Sequence, residues 1–140
     1  MRLRIGQTTY EWIEDWANVP HSTSAESGWP HHGIAVSETG DVISFHQSDS
    51  TLLRFDGLGN LKETHHTDLT EAHGITLVKE GDTEVLWIAD NGKKRLVENK
   101  YDYPMVSKVS GQVVKMALDG KVLKRLVNPP LAGYDQGDYS

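Results

Sequence analysis

Apolar and polar residues alternate in short runs along most of the chain, and clusters of Gly, Asp, Asn and Ser separate the runs. Alternation of this kind over four to eight residues predicts half-buried β-strands. One set of strands is predicted over Gly33 to Val36, Asp41 to Phe45, Thr51 to Asp56 and Leu61 to His65. A second is predicted over Gly74 to Val78, Glu84 to Ala89, Gln112 to Leu118 and Lys121 to Leu126. Helical periodicity is weak throughout. Tyr10-Glu11-Trp12-Ile13-Glu14-Asp15-Trp16 also alternates and is expected to form a flanking strand, whereas Asn18 to His31 reads as a loop.

The two sets are copies of one unit. His32-Gly33-Ile34-Ala35-Val36 returns as His73-Gly74-Ile75-Thr76-Leu77, and Val42-Ile43-Ser44-Phe45 returns as Val85-Leu86-Trp87-Ile88. Leu52-Leu53-Arg54-Phe55 is answered by Val113-Val114-Lys115-Met116 after a larger jump, which places an insertion over Gly92 to Ser110 in the second copy. Four antiparallel strands in a unit of about 40 to 45 residues is the signature of a β-propeller blade. The predicted fold class is therefore all-β: a β-propeller fragment of about two four-stranded antiparallel blades plus a flanking strand. The blade-like units cover 32–66 and 73–126 within a single partial domain spanning 1–140, and the tail from Asn128 to Ser140 is irregular.

Composition narrows the class. The 140 residues are 37% hydrophobic and 24% charged, as in a soluble globular chain. Apolar stretches such as Leu86-Trp87-Ile88-Ala89 fall far short of a membrane span, and Met1 to Gly6 has no apolar core of a secretory signal, so a cytoplasmic location is expected. A net charge of −6 argues against a nucleic-acid partner. With no cysteine, a disulfide framework and a thiolate metal site are both excluded.

Pro30-His31-His32-Gly33-Ile34-Ala35-Val36, Gly40-Asp41-Val42-Ile43, Leu53-Arg54-Phe55-Asp56, Gly59-Asn60-Leu61 and Leu86-Trp87-Ile88-Ala89-Asp90-Asn91 together resemble NHL-type repeats of six-bladed β-propellers. The chain is most similar to the branch containing peptidyl-α-hydroxyglycine α-amidating lyase and its bacterial relatives. The resemblance covers Trp29 to Leu126, about two blades, whereas six need about 250 to 300 residues. The chain is then either part of a longer propeller or closes by self-association, for instance as three copies. In the lyase, histidines of different blades converge on a catalytic zinc, and His32 and His73 match that His-Gly position. The resemblance thus implies a divalent metal, zinc or calcium, a small-molecule or protein ligand at the channel mouth, and lyase or hydrolase chemistry on a small polar substrate. Against this, the lyase pattern Phe-His-Arg is Phe45-His46-Gln47 here, and glutamine cannot supply the fixed positive charge of the catalytic arginine. The related gluconolactonase-type propellers have a leading glutamate ligand with no counterpart in this chain.

Each candidate also has a plain structural role. His-Gly at 32–33 and 73–74 suits a blade start, the glycine allowing a tight entry and the histidine bonding the neighbouring turn. His46 could face the channel as a polar binding group or stand partly exposed at a strand end. Asp90 could take up a proton or bind a cation, or it could close its strand as an Asx turn. The pair His65-His66 reads as surface, and Lys93-Lys94-Arg95 as a solvated loop. An alternative function is a non-enzymatic propeller that binds protein or ligand through the loops Asn18 to His31 and Gly92 to Ser110.

Overall fold

The computed structural model describes residues 1–21, 32–46, 50–95 and 104–127. Gln47, His31 with the preceding loop from Ser22, the middle of the insertion and the tail from Asn128 lie outside the described residues. Twelve strands, and no helix, make up the regular structure of that region. They are β1 (Arg2–Ile5), β2 (Thr8–Glu11), β3 (Ile34–Val36), β4 (Val42–His46), β5 (Thr51–Phe55), β6 (Leu61–His66), β7 (Ala72–Glu80), β8 (Thr83–Asp90), β9 (Lys93–Arg95), β10 (Met105–Lys108), β11 (Gln112–Ala117) and β12 (Val122–Val127).

The strands form two four-stranded sheets, β3-β4-β5-β6 and β7-β8-β11-β12, and every pairing is antiparallel. All eight predicted strands are present, within two residues at each end. The insertion folds as its own hairpin, β9-β10, between the second and third strands of the second sheet. The flanking strand differs from expectation. It runs over Thr8–Glu11 rather than Tyr10 to Trp16 and pairs with β1, which the alternation pattern did not single out. Asp15 adopts a positive φ of 48°, which ends the extended alternation, and Trp16 turns onto Phe55 of the first sheet at 6.3 Å between ring centroids.

The period-2 pleat gives each sheet one apolar face, and these two faces pack on each other. Ala35, Ile43, Phe45 and Leu52 of the first sheet meet Ala72, Ile75, Leu86, Ile88, Val114 and Met116 of the second in one buried cluster, joined by Leu69 from the connection. Leu86, Ile88, Val114 and Met116 are fully enclosed. Truncating a side chain such as Leu86 to alanine in a core of this kind costs about 2 to 5 kcal/mol.

The first strands of the two sheets approach most closely. The Gly33 N–H donates to the His73 carbonyl at 2.8 Å, a bond between sheets rather than within one. A Cβ at Gly33 would stand 2.6 Å from the Ile75 nitrogen and 3.0 Å from the His73 oxygen, so only glycine fits without moving backbone.

A charged ladder crosses the outer half of the first sheet. The buried Asp41 carboxylate accepts from Arg54 Nε at 2.9 Å and from Lys62 Nζ at 2.9 Å, and Arg54 Nη1 reaches Glu63 at 3.2 Å. The Lys62 ammonium, with the Arg54 guanidinium, holds the Asp41 carboxyl below the usual carboxylate range despite burial, which pushes the other way.

Two outcomes follow for stability. Gly33→Ala is expected to destabilise by about 3 kcal/mol because backbone must shift, whereas Gly81→Ala, at φ 61° with open space around it, is expected to cost about 1 kcal/mol. Urea denaturation of both variants checks this, and equal midpoints would contradict the close approach. Because the folded pKa of Asp41 is depressed, its contribution is fully present above the unfolded value near 3.9 and is lost as pH falls through the lower folded value. The stability gap between the native chain and Asp41→Asn is therefore expected to be wide at pH 7 and to narrow below about pH 4. An unchanged gap at low pH would remove Asp41 from that role.

Candidate functional site

The contact between the sheets brings the two His-Gly starts together. His32 immediately precedes the crowded Gly33, and His73 lies in the first turn of pleat of β7, so the close backbone approach places both imidazoles at the same end of the two sheets. Their ring centroids are 6.1 Å apart. The His32 side chain is 1% exposed and packs edge-on against Phe45 at 5.3 Å, whereas the His73 side chain is 41% exposed.

Hydrogen bonds fix the tautomers. Since the Ala72 carbonyl can only accept, His32 Nδ1–H donates to it at 3.0 Å, and a neutral His32 ring would carry its lone pair on Nε2. The Asn91 amide Nδ2–H donates to His73 Nε2 at 3.3 Å, so that nitrogen also presents a lone pair. At metal sites a ligating imidazole is commonly held through its other ring nitrogen by a carbonyl.

Glu71, 2% exposed, lies near both rings. Its Oε1 is 3.8 Å from His32 Nε2 and 3.7 Å from His73 Nε2, beyond direct hydrogen-bond distance. Among the described residues, no three His, Asp or Glu side chains stand close enough to enclose a metal ion as they are.

Asp90, at the end of β8, is the framework under this cluster. Its Oδ2 accepts from Thr70 N–H at 2.9 Å and Gln112 Nε2–H at 3.0 Å, and its Oδ1 accepts from Glu71 N–H at 2.9 Å and Gly92 N–H at 3.0 Å. Four donors occupy the carboxylate. Its place is that of a strand-closing Asx turn which also pins the Glu71 backbone.

His46 is not gathered into the cluster. It is buried rather than partly exposed, and the alternation of β4 puts Phe45 on the face packed against the second sheet and His46 on the opposite face, across from Thr51. The sequence reading thus pairs His32 with His73 but misses Glu71 and Asn91. Glu71 stands two residues before His73, where the first copy has Pro30, so alignment of the two copies passes over it. The available signal was an acidic residue lodged between the apolar Leu69 and Ala72 at a strand start.

Asp90→Ala is expected to destabilise the chain by about 3 kcal/mol, because four donors, two of them buried backbone N–H groups, lose their acceptor. Chemical denaturation checks it, and a change under about 0.5 kcal/mol, as for an ordinary surface site, would contradict the framework role. No protein-family model, curated protein or solved structure matches this chain.

Proposed function

We propose that the chain is a two-blade part of an NHL-like six-bladed propeller with a ligand site at the channel mouth, and that a divalent metal held by His32 and His73 serves lyase or hydrolase chemistry on a small polar substrate. The observation that carries this reading is the junction of the two sheets. Stacked four-stranded units with adjacent first strands are the arrangement of neighbouring blades, and the Gly33 to His73 bond sets a histidine from each unit at one end.

The donor set fits a borderline metal better than a hard one, because two neutral imidazoles suit zinc whereas calcium takes oxygen ligands. When bound, such an ion acidifies a water molecule and polarises a carbonyl. The chain's own residues do the positioning. Ala72 holds the His32 ring through Nδ1, Asn91 orients His73, and the Asp90 carboxylate fixes the turn from which Glu71 and His73 project. The difference in exposure gives the cluster a direction, since a substrate reaches it from the His73 side.

A second reading, a non-enzymatic module that binds a protein, draws on the hairpin β9-β10. Its Met105 and Val106 are exposed beside Lys108. Elemental analysis of the purified chain separates the two. The metal reading expects about one equivalent of metal per chain, reduced at least tenfold in both His32→Ala and His73→Ala. A native chain with no stoichiometric metal would leave the binding-module reading in its place.

A further inference from the structure

The insertion Gly92 to Ser110 has no counterpart in the first copy, whose four strands form a sheet without it. Its strands β9 and β10 hold seven residues, of which Lys93, Lys94, Arg95 and Lys108 are cationic and none is acidic. That concentration stands in a chain of net charge −6. The register sets Lys93 directly opposite Lys108, so the two side chains share one face of the hairpin, and like charges in that position weaken a strand pair. A two-stranded hairpin is marginal even without such a cost.

We infer that Lys93 and Lys108 form an anion site at the root of β9-β10, which holds a doubly charged oxyanion group of the ligand, of the phosphate monoester class, beside His73. The inference rests on the reading of a ligand site at this end of the sheets and names the charge of that ligand. It does not depend on a metal.

The root of the hairpin is fixed to the histidine end by short bonds. Gly92 N–H donates to Asp90 Oδ1 at 3.0 Å, and the Gly92 carbonyl accepts from Val109 N–H at 2.7 Å. Gly92 has a φ of 70°, and a Cβ there would stand 2.3 Å from the Val109 oxygen, so the two chains meet backbone to backbone. Lys93 N–H donates to Asn91 Oδ1 at 2.8 Å, and the Nδ2 of the same amide donates to His73 Nε2 at 3.3 Å. One side chain therefore joins the first residue of the hairpin to the exposed imidazole.

The paired lysines select the charge of the ligand. Two ammonium groups held on one face are offset together by a single group carrying close to two negative charges, as a phosphate monoester does at about pH 7, whereas a monocarboxylate offsets one. Lysine suits this class because it binds phosphate as a point charge. A local positive patch on an acidic chain also attracts an anion to this end and not to the rest of the surface.

NMR titration of the chelator-treated full chain with inorganic phosphate, at fixed pH and low ionic strength, tests the site beside the same titration with acetate. Saturable shifts are expected at the backbone amides of β9-β10 and at the His73 ring, about tenfold or more weaker in affinity in Lys93→Gln and in Lys108→Gln, and weakened by added sodium chloride. Each variant removes one of two opposed like charges, so both are expected to keep the native thermal midpoint or exceed it. Absence of saturable shifts in the native chain, or native phosphate affinity in folded variants, would overturn the anion site. Shifts confined to the hairpin would overturn the place beside His73 while leaving the anion site, and acetate binding as tightly as phosphate would overturn the doubly charged class.

Discussion

The close approach of β3 and β7 is the constraint on which the rest depends. Within each sheet the backbone is satisfied by ladder bonds, but between the sheets the Gly33 to His73 bond is a direct backbone link, and it forms only because residue 33 has no Cβ. That link sets the distance at which Ala35 and Phe45 meet Ile75 and Ile88. It also sets the separation of His32 and His73. Packing and candidate chemistry are thus fixed by the same few backbone atoms.

The eight strands of the two sheets were legible because strand alternation and turn residues are local properties. Asp56, for example, accepts from the N–H groups of Leu58 and Asn60, which closes the β5-β6 turn where the sequence has Asp-Gly-Leu-Gly-Asn. The pairing of His32 with His73 was legible through the repeat. What was not legible depends on which face a residue takes and what lies across it. His46 follows Phe45 by one residue, so the pleat alone sends it to the opposite face. Glu71 has no counterpart in the first copy, and its burial follows from a sheet contact distant in sequence.

The buried carboxylates fall into two regions, one in the first sheet and one at the start of the second. At one end Asp41, Arg54, Lys62 and Glu63 pair with one another, and each charge has an opposite neighbour within a hydrogen-bond distance. At the other end Glu71 faces imidazoles at longer range, while the nearby Asp90 is wholly occupied by donors. Both Asp41 and Asp90 are buried carboxylates, and both are satisfied locally.

The two His-Gly starts are alike in sequence but not in surroundings. Gly33 is crowded by the backbone of the second sheet, whereas among the described residues a Cβ at Gly74 would meet only Ala89 of its own sheet, at 3.5 Å. The outer faces follow the same logic. Ile34 and Val36, on the face of β3 turned away from the second sheet, are 65% and 58% exposed, and Val113 and Leu126 on the far face of the second sheet are exposed as well. That face of the first sheet is covered at its centre, where Leu53 and Phe55 are buried and Trp16 packs on Phe55, and open along β3. Under the proposed propeller reading both features have a single cause. A further first strand would approach Gly74 as β7 approaches Gly33, whether it belongs to more of the same chain or to another copy, and the exposed aliphatics of β3 would meet the sheet before it.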